Sequence, residues 1–371
     1  MSLTAGGVLA KSTRSGLRIG GMTQTSKPAV LVTGGAGYIG AHTAKALAER
    51  GFTPIVYDSL VSGFREAVHW GPFIHGDIRD RVALAEAIET HHVKAAIHFA
   101  GLIEVGRSVA RPDLFWDVNV GGTTTLLTTL REHGVGRLVF SSSAAVYGQG
   151  GRGPLETIGE TAEKAPASPY GDTKLAAEWL IQAQCRAYGL SAVALRYFNA
   201  AGADPSGMIG EGHEPETHLI PLAIAAALGD GKPLTVFGKD FDTPDGTCLR
   251  DYVHVADLAA AHVAALELEL ADGAFEAVNL GVGEGKSVFA VIAAVSAALD
   301  QDVPKIVGAR RAGDPASLVA NPARAAALLG WTPRRSSLAQ IVEDALRWER
   351  APKYGVGLRG ASARRGSLTG P

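Results

Sequence analysis

Cysteine is nearly absent from this chain: two residues in 371, Cys185 and Cys248. They stand far apart and form no metal-binding or redox spacing, so no disulfide framework, zinc finger or metal site is expected. A reducing, cytoplasmic setting is the default for such a chain. No apolar run reaches the ~18 residues of a membrane span, and the longest, Val288 to Leu299, reads as a buried helix. Charge of one sign is not in excess either, with 35 Lys and Arg against 37 Asp and Glu. A protein that coats nucleic acid carries a basic surplus, so neither nucleic acid nor membrane is expected as a partner. There is no internal repeat. The 46 glycines are about 12% of the chain, above the usual ~7%, but they lack the Gly-X-Y period of collagen.

Charge is unevenly placed. Residues 1–27 carry Lys11, Arg14, Arg18 and Lys27 without an acid, and residues 353–371 carry Lys353, Arg359, Arg364 and Arg365, again without one. Taking four positive charges off each end of a chain of formal charge −2 leaves −10 on residues 28–352. Both ends are aperiodic and rich in Gly and Ser, so 1–27 reads as a disordered basic extension and 351–371 as a disordered tail. The remainder is long enough for two domains.

Between the ends, apolar β-rich runs alternate with helical stretches. Ala29–Thr33, Pro54–Asp58, Ala95–Phe99, Arg137–Ser141 and Ala192–Arg196 read as buried strands, and Tyr38–Arg50, Arg81–Thr90, Leu114–Glu132 and Pro169–Tyr188 as helices. That rhythm predicts an α/β fold, a doubly wound parallel sheet of Rossmann type. After about Gly202 Pro, Gly and Asp increase, and the rest reads as a smaller C-terminal α/β domain on the sheet's carboxyl edge. Its helices are expected at Leu219–Leu228, Val255–Glu269, Ser287–Leu299, Pro322–Leu329 and Leu338–Arg350. The boundaries are therefore 28–201 and 202–350, with some segments exchanged.

Thr33-Gly34-Gly35-Ala36-Gly37-Tyr38-Ile39-Gly40 lies between a strand and a helix. Glycines there let backbone approach a pyrophosphate, and the helix amino end adds free N–H groups and a positive dipole. Asp58 ends the next strand, where a carboxylate grips ribose hydroxyls and repels a 2′-phosphate, so NAD is expected rather than NADP. Asp77 and Ile78 after the third strand could meet adenine, and Phe99-Ala100-Gly101 after the fourth could pack against the nicotinamide ribose. Ser141-Ser142-Ser143 ends a further strand, and Tyr170 and Lys174 share one helix face four residues apart. Tyrosine is a poor base at its ordinary pKa of ~10. Lys174⁺ and an oxidised nicotinamide would lower it toward working pH, with Ser143 relaying the proton.

These motifs, with His98-Phe-Ala-Gly101, Asn119 and Val146-Tyr-Gly148, resemble the extended short-chain dehydrogenase/reductase family. Leu195-Arg-Tyr-Phe-Asn199, His218-Leu-Ile-Pro221, Asp245–His254, Asn279-Leu-Gly281 and Arg310–Asp314 further resemble its UDP-glucose 4-epimerase branch. The resemblance implies NAD held by Gly34, Gly37, Tyr38, Ile39, Gly40, Asp58, Asp77, Ile78, Phe99, Ala100, Gly101, Asn119, Tyr170, Lys174 and Tyr197. It implies Ser143, Tyr170 and Lys174 as catalytic. A UDP-sugar would be held by Asn199, His218, Leu219, Phe237, Arg250, Arg311 and Asp314 together with Ser143 and Tyr170. Tyr170 would take the 4-hydroxyl proton as the C4 hydride leaves; the 4-keto sugar would swing about its diphosphate, and the hydride would return to its other face. A homodimer through the 114–132 and 169–188 helices is also implied. Ile103 stands where some bacterial members carry lysine, and Leu318 where members carry a residue that gates N-acetylated sugars. Epimerisation of a UDP-N-acetylhexosamine, UDP-pentose or UDP-uronic acid is therefore the alternative, and a non-catalytic NAD-binding protein a further one. A dehydratase is disfavoured, because Ala144-Ala145 follows Ser143 where that group places acids.

Overall fold

The computed structural model describes residues 28–149, 156–229, 232–311 and 314–355. The disorder expected for 1–27 and 356–371 lies outside the described residues. Strand β1 (Ala29–Thr33) sends Leu31 into the core on one face and Val30 and Val32 into the core on the other, the period-two outcome for a strand buried on both sides. With β2 (Thr53–Asp58), β3 (Phe73–His75), β4 (Ala95–His98), β5 (Arg137–Ser143), β6 (Ser191–Tyr197) and β7 (Phe275–Leu280) it forms a parallel sheet of order β7-β6-β5-β4-β1-β2-β3. The order in which successive strands are added reverses between β1 and β4, and open parallel sheets take ligands at such a crevice.

Helices α1 (Tyr38–Arg50), α2 (Arg81–Thr90), α3 (Gly122–Glu132), α4 (Pro169–Tyr188), α5 (Leu219–Ala227), α6 (Val255–Glu267), α7 (Val288–Leu299), α8 (Ala323–Leu329) and α9 (Leu338–Arg350) complete the frame. Local chemistry fixes their ends. Gly51 closes α1 in the left-handed region, the Asp80 carboxylate caps α2 by accepting from Val82 and Ala83 N–H, and Ser168 caps α4 ahead of Pro169. Leu84, Leu126 and Ile181 bring α2, α3 and α4 against one face of the sheet; Leu47 and Leu258 bring α1 and α6 against the other. A separate core around Ile220, Val291 and Ile341 joins α5, α7 and α9 with the strand Leu234–Phe237.

Three expectations change. The helix expected over Leu114–Glu132 starts earlier, at Pro112, and opens into a wide turn through Trp116–Gly121 before α3. That widening turns Asn119 toward the Leu102 backbone, to which it is bound in both directions. β7 was not anticipated as a strand; with α6 it belongs to the second half of the chain yet builds the first sheet. Residues 351–355 are not a loose tail: Tyr354 is buried, stacks on Phe64 and exchanges hydrogen bonds with Gly210.

Candidate active site

The loop after β1 is built for close approach. Gly34 has φ +72° and donates from its N–H to the Tyr57 carbonyl at 2.8 Å. A Cβ at Gly34 would stand 2.5 Å from Ala100 N, and one at Gly40 2.2 Å from the Gly34 carbonyl oxygen. Only glycine lets β1, α1 and the end of β4 meet there. Helix α1 has no side-chain cap, which leaves its first-turn N–H groups to a ligand in the cleft. Asp58 Oδ2 accepts from Ala36 N–H at 3.0 Å and Oδ1 from Leu60 N–H at 2.8 Å, which fixes the carboxylate while burial raises its pKa. The cleft beyond, of about 460 Å³, is lined by Gly34, Gly37, Tyr38, Ile39, Gly40, Asp58, Asp77, Ile78, Phe99, Ala100, Gly101, Ser143, Tyr170, Lys174 and Tyr197.

Two residues in that region are held by neighbours within the chain. Asn119 does not line the cleft: its amide binds Leu102 on both sides and donates to Thr173 Oγ1 at 3.0 Å, so it shapes the wall from behind. Asp77 lines the cleft, but Arg79 holds both its oxygens, at 2.9 and 2.6 Å, and lowers its pKa.

Ser143 ends β5 and its Oγ accepts from Ala145 N–H at 3.1 Å. Tyr170 opens α4, its N–H donating to Ser108 Oγ at 3.1 Å. Lys174 follows one turn on; its Nζ donates to the Ser141 carbonyl at 2.9 Å and lies 5.9 Å from the Tyr170 ring centre. Burial lowers the Lys174 pKa to about 8, against the opposing charge of Glu178. Burial raises the pKa of the Tyr170 phenol and hydrogen bonding with Ser143 opposes the rise; positive charge beside the ring, from Lys174 and from an oxidised nicotinamide, acts in the lowering direction.

Behind the trio lies a buried ion pair. Arg196 donates to Glu178 through Nε at 2.8 Å and a terminal nitrogen at 2.5 Å, and Ser142 Oγ donates to the same carboxylate at 2.5 Å. Both side chains are under 5% exposed. Arg196 also donates to Tyr147 Oη, which donates to Asn279 Oδ1.

A second cleft, about 600 Å³, opens between the two units and carries Leu219, Phe237, Arg250, Arg311 and Asp314. Asn199, Ala200, Glu211 and His218 line both clefts. The Arg311 guanidinium lies 3.9 Å over the Phe237 ring, and Arg250 is braced by the Leu249 and Pro315 carbonyls at 2.8 and 2.9 Å. Two guanidinium groups on one wall suit a diphosphate. Ile103 is on the rim of the first cleft, and Leu318 packs beside the Tyr147–Phe198 cluster.

The model of the NAD dependent epimerase/dehydratase family matches residues 30–281. The chain belongs to that family. Epimerase/dehydratase relatives similar to it include UDP-glucose 4-epimerases of Halalkalibacterium halodurans, 46% identical over 88% of this chain and 97% of that protein, and of Rhizobium leguminosarum bv. trifolii, 48% identical over 86% and 96%. The crystal structure of a UDP-glucose 4-epimerase from Brucella ovis in complex with NAD superposes with a TM-score of 0.82 at 48% identity, covering 86% of this chain and 97% of that one. The enzyme from Bifidobacterium longum in complex with NAD⁺ and UDP gives a TM-score of 0.83 at 34% identity, covering 88% and 100%. The family cofactor fits the first cleft: Gly34 and Gly40 leave no room for a Cβ, the helix terminus is uncapped, and a fixed carboxylate stands at the end of β2.

In this epimerase/dehydratase-family chain the sequence reading missed Glu178, Glu211 and His213. Glu178 lies one turn beyond Lys174 on α4, so helical spacing could have flagged it. Glu211 and His213 belong to a segment reading Glu-x-His-x-x-Glu-x-His, a density of donor side chains that was itself a signal.

Proposed function

We propose that this chain interconverts UDP-glucose and UDP-galactose by reversible oxidation at the sugar C4. One observation carries the reading: the cleft holding Ser143, Tyr170 and Lys174 and the cleft holding Arg250 and Arg311 share a wall at Asn199, Ala200 and His218. A UDP group gripped in the second cleft delivers its sugar to the end of the first. The chemistry that NAD supplies when bound is reversible hydride acceptance at C4, and the Asp58 carboxylate selects against a 2′-phosphate. Tyr170 takes the proton of the 4-hydroxyl and returns it, Ser143 hydrogen-bonds the same oxygen, and Lys174 in its charged form favours the phenolate. Arg250, Arg311, Asp314, Phe237, Asn199 and Leu219 anchor the nucleotide. Anchoring far from C4 leaves the uncharged sugar free to turn and present its other face.

The reading includes a homodimer through the 114–132 and 169–188 helices, supported by Trp116 and Trp179, which are 44% and 60% exposed there. It also includes a cytoplasmic setting, supported by the free cysteines Cys185 and Cys248. Among the described residues no helix is long and apolar enough to cross a membrane. The deciding experiment incubates purified protein with UDP-glucose, without added cofactor, and follows the galactose anomeric proton by NMR. Growth of that signal is expected. A folded, NAD-loaded protein that leaves UDP-glucose unchanged would refute the proposal.

A further inference from the structure

The segment Glu211-Gly-His-Glu-Pro-Glu-Thr-His218 runs along the wall between the two clefts, and Glu211, His213 and Glu216 have no part in the proton transfer at C4. It folds four donor side chains onto one point. Glu211, His213, Glu216 and His218 each present one nitrogen or oxygen, and these four atoms all lie within 4.8 Å of one another. Glu211 Oε1 is 2.9 Å from His213 Nδ1 and 2.8 Å from His218 Nδ1, and Glu216 Oε1 is 2.8 Å from His218 Nδ1. We propose that these four side chains form a binding site for one divalent transition-metal ion of the zinc class.

Donor chemistry and spacing both favour that class. Two imidazoles with two carboxylates suit zinc and its neighbours, whereas magnesium and calcium take oxygen alone. A tetrahedral ion about 2.0–2.2 Å from its ligands spaces them by about 3.3–3.5 Å. The closest pairs here open by about half an ångström and the widest, up to 4.8 Å apart, close by about 1.3 Å to admit it, shifts within side-chain torsion. Two carboxylates and two neutral imidazoles also match a +2 ion in charge. In the metal-free chain protons on the imidazoles bridge the same contacts, and the ion displaces them.

The frame around the cluster is already built. Trp348 Nε1 donates to the Glu211 carbonyl at 2.6 Å, and Tyr354 Oη accepts from Gly210 N–H at 3.0 Å. Glu216 Oε1 accepts from the Thr217 and His218 N–H groups, each at 2.6 Å, which fixes its carboxylate. The His213 ring stands edge-on to Tyr38, 6.3 Å between centres. An ion here would cross-link one short segment at the meeting point of the two clefts, whichever sugar the chain turns over.

The test titrates the chelator-stripped, NAD-loaded full chain with zinc sulfate by calorimetry, and with cobalt chloride by visible absorption. The expected result is one zinc ion per chain, with a Kd at or below about 1 µM and a midpoint of thermal unfolding that rises with zinc. Cobalt should give the visible bands of a four-coordinate nitrogen–oxygen site. His213→Ala and Glu216→Gln should each weaken zinc binding by about tenfold or more. Should His213→Ala fail to fold, Glu216→Asp, which keeps the charge and shortens the reach, should weaken binding by about threefold or more. Absence of saturable zinc binding in the wild-type chain overturns the proposal. So does unchanged affinity in Glu216→Gln and Glu216→Asp, because the ion would then sit at other histidines.

Discussion

Replacing Glu178 with glutamine should reach activity without touching the substrate. The change keeps the side chain's shape but removes the charge that balances Arg196 in a pair under 5% exposed. It also places an amide donor against guanidinium nitrogens now 2.5 and 2.8 Å from oxygen. Removing one partner of a buried ion pair costs about 3–5 kcal/mol, because the other charge is left uncompensated. With about 2.1 cal/mol/K of unfolding entropy per residue over roughly 320 folded residues, that shifts the thermal midpoint down by about 4–8 °C. There is a second effect. The Glu178 charge opposes the burial that brings Lys174 to about 8, so its loss drops the Lys174 pKa further. Charged Lys174, needed to favour the Tyr170 phenolate, then disappears at lower pH. The alkaline limb of the kcat profile should move to lower pH. Calorimetry and a pH–rate profile of sugar interconversion measure both effects. The double change Glu178→Leu with Arg196→Met, which removes both charges, should regain much of the lost midpoint. A Glu178→Gln protein with wild-type midpoint and an unmoved alkaline limb would refute the reasoning.

Tyr170→Phe should abolish turnover while leaving UDP affinity, measured by calorimetry, within about threefold, since Phe237, Arg250 and Arg311 lie in the other cleft. Gly40→Ala forces a Cβ to within 2.2 Å of a backbone oxygen. Such overpacking costs about 1–3 kcal/mol and should lower the NAD content of the purified protein, read from its absorbance spectrum. His98 is buried between Thr33 and Thr123, and burial lowers its pKa to about 3. The unfolded chain therefore binds a proton below about pH 6.5 that the folded chain refuses. The contribution is whole above that pH and is lost at about 1.4 kcal/mol per pH unit as pH falls toward 3. Urea unfolding of wild type and His98→Gln at pH 7 and pH 5 should show a loss steeper in wild type by about 2 kcal/mol; equal slopes would count against it.

What sequence makes legible is set by distance along the chain. β1, β2, β4, β5 and β6 are continuous apolar runs because both faces of the sheet are covered, and such runs declare themselves. The glycine loop and the Tyr170–Lys174 pair are local patterns of a turn and one helical repeat. β7 was missed because Phe275-Glu-Ala-Val-Asn-Leu280 is an apolar run broken by Glu276 and Asn279 and gains its place from β6, some eighty residues earlier. The bonding of Asn119 is not legible from spacing, since its partners Leu102 and Thr173 come from other elements. Arg79 capturing Asp77 is local but depends on rotamers that spacing does not fix. The pKa of Tyr170 is the clearest case: its sign follows from burial, which a sequence does not contain.

The late arrival of β7 has a consequence for how the chain is made. When synthesis reaches Gly202, six strands of the sheet exist, but β6 has one edge open along Ser-Ala-Val-Ala-Leu-Arg-Tyr. Its neighbour on that side comes about seventy-five residues later, and α6, which covers Leu195 and Val193, only slightly before it. An exposed apolar edge is a template for pairing with other chains. A fragment ending near residue 201 is therefore expected to aggregate rather than fold as a free cofactor domain. The nascent chain must hold this edge unpaired until its own second half emerges, so the two units, distinct in their cores, are bound into one folding event.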